Sequence, residues 1–305
     1  MTKLIANSLI LALCVSVSSS SPALPATEVL QAPAYIGEWG SYGSENGQFN
    51  IPVGVAVDAV GNVFVGESGG SRIQKFTNAG AYLAQWPAFH PQGVAVDVDG
   101  NVFATVGAQG LAKFSGSGEL LAQWSRTGTG LAIDRSGVVY VATRSSIARF
   151  TSAGTTLPEW PDSNYPDGVA VDVTGNVFVV GTDPADLVEK LASDGTLLTS
   201  WGSYGAGAGQ FDTPTRAAVD PSGNVYVADY GNNRIEIFSN DGAYLGQFGG
   251  TGSGPGQFAG PMGVAIDASG FIYVADANNN RIQKFGPLPT PARTSSWGQL
   301  KSLYH

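Results

Sequence analysis

The stretch PMGVAIDASGFIYVADANNNRIQKF, Pro261 to Phe285, decides the fold. Val264-Ala265-Ile266 is apolar and reads as a strand. Asp267-Ala268-Ser269-Gly270 is a turn signal, and Ile272-Tyr273-Val274 is a second strand. Asp276 to Asn280 is an Asx-rich turn. Arg281-Ile282-Gln283-Lys284-Phe285 alternates polar and apolar as a third strand. Each turn has a mechanism: glycine supplies positive φ, and Asp and Asn side chains bond the backbone two residues on.

The rest of the chain repeats this unit. GVAVDAVGNVFVGE begins at Gly54, GVAVDVDGNVFAT at Gly93 and GLAIDRSGVVYVAT at Gly130. GVAVDVTGNVFVV begins at Gly168, RAAVDPSGNVYVAD at Arg216 and GVAIDASGFIYVAD at Gly263. The repeated acids are Asp58, Asp97, Asp134, Asp172, Asp220 and Asp267, with spacings of 39, 37, 38, 48 and 47 residues. Copies at this period are supersecondary units, none of which buries both faces alone.

A further strand ends each unit in Trp or Phe: Trp86, Trp124, Trp160, Trp201 and Phe248. Each unit therefore has four strands. The last has only three before the chain turns Pro-rich at Gly286, while Tyr35-Ile36-Gly37-Glu38-Trp39 is one strand too many at the start. The count closes if Tyr35–Trp39 supplies the fourth strand of the last unit. That joins a radial array into a ring, whereas a solenoid would want polar caps. The expected fold is all-β: a six-bladed β-propeller of four-stranded antiparallel blades over 35–285. One large ring per strand per blade reads as packing between blades.

The motif P-x-G-V-A-V-D-x-x-G-N-V-[FY]-V-A-D-x-x-N-N-R-I-x-x-F is nearly complete in the last two units. On these residues the chain resembles secreted bacterial NHL-repeat propeller proteins. The resemblance implies the propeller fold. It says little about activity, because the functions of such proteins are diverse.

The net charge of −9 and a pI near 4.6 give no basic footprint, so nucleic acid is not an expected partner. Residues 1–26 read as a signal peptide: Lys3, an apolar run from Leu4 to Val17, then small residues with cleavage after Ala23 or Ala26. The run is too short and Ser-broken for a transmembrane anchor. Cys14, the one cysteine, lies inside it, so an exported chain would have no disulfide and no thiolate site. The expected product is a secreted or periplasmic monomer. Residues 27–34 are a linker. Residues 286–305 are a Pro-rich linker and tail, where Trp297, Leu300 and Leu303 form either a frayed end or a sorting tag.

In a four-stranded meander, the turn from second to third strand shares a face with the loop leading into the blade. Three such loops are long and glycine-rich: Gly40 to Ile51, Gly202 to Thr213 and Gly249 to Gly260. They carry Gly-Gln-Phe with Phe49, Phe211 and Phe258, and they lead into blades one, five and six. One half of the face is thus raised. On it, Glu67, Asp229 and Asp276 follow the second strand. They read as ligands for a cation or basic group, or, for Asp229 and Asp276, as acids folding their own Asx turns with Asn232 or Asn279.

The residues preceding the inner strands should ring the channel mouth: Val53, Gln92, Thr129, Asp167, Thr215 and Met262. Arg216 replaces the glycine of the motif. It either pairs with Asp167 or Asp212 and closes the mouth, or points its guanidinium into the channel toward an anion, opposite Gln92 and Thr129.

The function expected from these residues is a non-catalytic binding scaffold presenting loops to a protein, peptide or glycan. The alternative is a propeller hydrolase or lyase, lactonase-like, with its site at the channel mouth. The chain's histidines are His90 and His305, too few for the His-held zinc of propellers resembling amidating lyases. Calcium, the ion of lactonase-like channels, has no visible ligand cage, because Asp167 is the one acid in the ring. No G-x-S-x-G nucleophile with a matching His is present. No catalytic residue, cofactor or metal ligand is assigned, and His90 reads as a surface loop residue.

Overall fold

The computed structural model describes residues 31–162, 164–182 and 185–288. The expected leader, most of the tail and Trp297 lie outside the described residues. Strands pair into six four-stranded antiparallel sheets. Five sheets keep sequence order. The sixth runs from Pro261–Ile266 through Ile272–Asp276 and Arg281–Phe285 to Tyr35–Trp39 at its outer edge. The chain is a six-bladed β-propeller closed by its N-terminal strand.

The repeated Asp makes the tight turn between inner and second strand. Asp267 Oδ1 accepts the backbone N–H of Ser269 at 2.9 Å and of Phe271 at 3.0 Å, with Gly270 at φ 83°. Asp58, Asp97, Asp134, Asp172 and Asp220 make the same bonds. The inner strand is longer than its apolar triplet, because pairing already begins at Pro261↔Asp276. Asp276 therefore both closes the second strand and opens the turn that follows. Ala277–Asn279 is a 3₁₀ turn, with Asn280 left-handed at φ 53°.

The core lies between blades. Trp39 of blade six packs on Phe76 of blade one, with ring centroids 5.9 Å apart. Its indole also covers Gly80, where a Cβ would come within 2.7 Å of the ring. Trp86, Trp124, Trp160 and Trp201 cover Gly118, Gly154, Gly195 and Gly242 in the same way. At the axis, the inner-strand glycines allow neighbouring strands to approach. A Cβ on Gly263 would stand 2.2 Å from the Val53 carbonyl oxygen, and one on Gly168 2.4 Å from that of Thr215. These sites demand glycine because the next blade occupies the space.

Closure rests on several bonds. Glu38 pairs with Gln283 and Trp39 with Ile282 in the ladder. Arg281 Nη1 donates to Glu38 Oε2 at 2.8 Å, and Asn280 Oδ1 accepts the Ile51 N–H at 3.0 Å. A chain starting at Gly40 lacks this strand and bares the edge of Arg281–Phe285. It is expected to lose more than 10 °C in Tm (an order-of-magnitude figure) or to aggregate. The single change Trp39→Ala is expected to cost ~3 kcal/mol, the low end for a large aromatic. Thermal melts for the truncation and urea melts for Trp39→Ala, against a chain ending at Leu288, check this. A truncated chain as stable as its parent would mean that the ring does not need its seam.

Candidate functional site

The raised half of the face is built on buried charge. Glu67, Asp229 and Asp276 are fully buried. Each accepts a backbone N–H from the loop leading into its own blade: Asn50 to Glu67 at 2.8 Å, Asp212 to Asp229 at 2.8 Å and Ala259 to Asp276 at 2.7 Å. Each also pairs with an arginine at the start of the third strand. The Nε–O distances are 2.6 Å for Arg72–Glu67, 2.7 Å for Arg234–Asp229 and 2.8 Å for Arg281–Asp276. The Nη atoms of those arginines then reach loop carbonyls, among them Gln48, Gln210 and Gln257. Phe49, Phe211 and Phe258 are wholly buried beneath the loops.

This corrects the reading of the three acids as surface ligands. Their basic group is an arginine of the chain itself. Asn232 and Asn279 do bond Asp229 and Asp276, at 2.8 Å each, so the expected Asx bonds form part of a larger clamp. The arginines escaped sequence reasoning, though a signal existed. An Arg opens the third strand in blades one, five and six alone, the same blades that carry the acid and the long loop. Removing one partner leaves a buried charge unpaired. Arg281→Ala is therefore expected to destabilise by about 3–5 kcal/mol, as read by denaturant melts. A cost below ~1 kcal/mol would fit an exposed pair only.

The other half of the face lacks clamps. In blade two, Val106, Gly110 and Ala112 stand where blade one has Glu67, Arg72 and Gln74. The space that the loop would cover is a depression of about 340 Å³, walled by Val106, Ala112, Phe114 and Leu120. His90 sits exposed beside it, with Nδ1 at 2.7 Å from the Ser68 carbonyl oxygen.

The channel mouth holds a cavity of about 210 Å³. Val53, Gln92, Asp167, Thr215, Arg216 and Met262 line it, with Ser68. The ring read from sequence is thus brought together, apart from Thr129. Its hydroxyl turns away and donates to the Asp167 carbonyl at 2.8 Å. Thr215 lines the mouth while its hydroxyl donates to the Met262 carbonyl at 2.8 Å. Arg216 Nη1 bonds Asp167 Oδ2 at 2.7 Å, the Asp167 carbonyl at 2.8 Å and the Thr215 carbonyl at 3.0 Å. Of the two carboxylate partners expected, Asp167 is the one engaged. Arg216 stands where the motif has glycine; the blade-five ladder skips from Pro214 to Ala217 there, as the blade-two ladder skips from Pro91 to Val94 around Gly93. The Arg216 Nε is buried and has no hydrogen-bond partner among the described residues.

A trough leads outward from the mouth over blades two and three. Its cavity of about 490 Å³ shares Gln92 with the mouth and is lined by Thr129, Arg126, Arg144, Thr127 and Ser145. Arg126 pairs with Glu159, and Arg144 is exposed. No group of three or more His, Cys, Asp or Glu side chains converges among the described residues.

The NHL repeat family model matches residues 49–76, 211–238 and 258–285. Each segment runs from a loop Phe to the third-strand Phe of a clamped blade. The chain carries NHL repeats. NHL repeat-containing protein 3 of Homo sapiens is 35% identical over 75 residues, 24% of this chain and 22% of that protein. The Mus musculus protein matches to the same extent. The alignment thus spans about a fifth of these relatives' length. Among solved structures, a protein of unknown function from Bacteroides thetaiotaomicron has a TM-score of 0.67 at 17% identity, covering 82% of this chain and 76% of that one. Virginiamycin B lyase from Staphylococcus aureus has 0.58 at 15%, covering 80% and 98%. A streptogramin B lyase has 0.57 at 14%, covering 83% and 99%. At these identities the likeness is one of fold. No helix among the described residues is long and apolar enough to cross a membrane.

Proposed function

We propose that this NHL propeller is a non-catalytic binding scaffold whose ligand lies in the trough running from the channel mouth over blades two and three. The carrying observation is the charge of that trough. In a chain of net charge −9, three arginines line two adjoining cavities: Arg216 and Arg126, each held in one ion pair, and Arg144, which is exposed. The ligand that complements them is an acidic peptide segment of a partner protein. The raised loops do not supply its polar contacts, since their clamps use those groups internally.

A lyase or hydrolase would need an acid–base pair or a metal at the mouth. Asp167 is the one carboxylate lining it, and Arg216 holds that carboxylate in an ion pair. The binding reading therefore stands ahead of the enzyme reading.

Calorimetry with an oligo-glutamate peptide tests the proposal. Arg216→Gly restores the repeat glycine and should leave the fold intact. It is expected to weaken binding about tenfold, ~1.4 kcal/mol. Arg126→Ala with Arg144→Ala should weaken it further. Asp167→Asn frees the guanidinium and should keep or strengthen binding. Should the peptide bind parent and Arg216→Gly protein alike, or should only an oligo-uronate bind, the peptide seat is not there. A metal bound stoichiometrically to the purified protein would return the enzyme reading.

A further inference from the structure

The third residue of the third strand differs among the clamped blades. It is Gln74 in blade one, Gln283 in blade six and Glu236 in blade five. All three are fully buried.

The two glutamines do the same work. Each Oε1 accepts a loop N–H, from Gly47 at 2.9 Å and from Gly256 at 2.8 Å. Each Nε2 donates twice. One bond goes to a loop carbonyl, Gln48 at 2.7 Å or Gln257 at 2.6 Å. The other goes to the clamp acid, Glu67 at 2.7 Å or Asp276 at 3.1 Å. The position therefore wants one acceptor atom and one donor atom.

Glu236 meets half of this demand. Its Oε1 accepts the Gly209 N–H at 3.2 Å and lies 3.1 Å from Arg234 Nη2. Its Oε2 stands where the glutamines carry NH₂, and it is buried with no hydrogen-bond partner. By the repeat, that oxygen faces the Gln210 carbonyl and the Asp229 carboxylate, both acceptors. An ionised carboxylate oxygen there would meet only lone pairs. Charge points the same way. Blades one and six bury one acid, one arginine and a neutral amide at the clamp. Blade five buries Asp229, Glu236 and Arg234, one negative charge too many if both acids ionise.

Asp229 is the better anion of the two. It accepts Asp212 N–H, Asn232 Nδ2 and Arg234 Nε at 2.7–2.8 Å. The groups facing Glu236 are Arg234 on its own strand, Asp229 on the second strand and, on the outer strand, Tyr244, whose phenol is raised by burial and then by Glu236. From the loop it meets the Gly209 N–H.

We propose that Glu236 carries a proton which it donates to the Gln210 carbonyl, and that this proton is a pH-sensitive latch on the blade-five loop, 202–213. Burial, with Asp229 adding to it, pushes the Glu236 carboxyl up to about 7. Its contribution to stability is then full below the ordinary glutamate range, near 4.5, and is lost as pH rises through about 7. Above that, the loop loses a bond and gains a buried charge. Thr213 leads directly into Pro214, Thr215 and Arg216, so a loosened loop reaches the channel mouth. The proposal does not depend on which ligand the trough takes.

Native-state hydrogen exchange on the full chain between pH 5 and pH 8, corrected for the intrinsic pH dependence of exchange, tests it. Protection of the loop amides around Gly209 is expected to fall at least tenfold across neutral pH in the parent, while those of Gly47 and Gly256 hold. Glu236→Gln copies the sister blades. It should abolish the fall and match the parent near pH 5. The reciprocal Gln74→Glu should bring the same pH dependence to the loop of blade one. As a direct readout, the Gly209 amide chemical shift should titrate near neutral pH. If it titrates in the ordinary carboxylate range, or if parent and Glu236→Gln protection run parallel with pH, the latch does not exist.

Discussion

The antiparallel pairing of Tyr35–Trp39 with Arg281–Phe285 is the interaction on which the other blades depend. A radial array of sheets has two open ends, each exposing an unpaired strand edge or an uncovered blade face. Here one strand closes both. Its backbone completes blade six, and its Trp39 covers the turn glycine of blade one. Loss of that strand uncovers a core cluster shared by blades one and six, in which Phe76, Tyr273 and Ile282 are almost wholly buried. Because every outer aromatic covers the following blade, no blade is finished until the ring is.

Within this ring the face is divided by buried electrostatics. Three adjacent blades carry an acid, an arginine and a long loop, each of which requires the other two. The loop needs donors and acceptors for its backbone, because a buried polar group without a partner is costly. The acid needs a cation, and the guanidinium needs several acceptors. Loop carbonyls meet that last demand. Where blade two has Val106, Gly110 and Ala112, none of these demands exists and the loop is absent. The consequence for function is a high, self-satisfied side beside a low side with open cavities and arginines.

The mouth shows how one residue departs from a repeat at a structural cost. Glycine is needed at the axis wherever the next carbonyl crowds it. Arg216 takes that place in blade five, and its head group is held by Asp167 and two carbonyls. A guanidinium in that place puts charge where five other blades present only backbone.

The strands, their number and the closure were determined by the sequence itself. The signals for these are local: an Asx turn closes on its own backbone two to four residues on, and an unmatched strand at one end answers a missing one at the other. The Arg216–Asp167 pair was half legible, because the motif marked Arg216 as an exception, and adjacency in a ring brings residues 49 apart side by side. Burial of Glu67, Asp229 and Asp276 was decided only by the tertiary structure. A carboxylate at a strand end reads the same whether water or a folded loop covers it. The difference lies in a loop N–H arriving from 17 residues upstream and a guanidinium from five residues on, which meet only when the blade is built. The same holds for Glu236, an unexceptional acid in the sequence. Only packing beside Asp229, in the place of a donor amide, makes its proton a structural element.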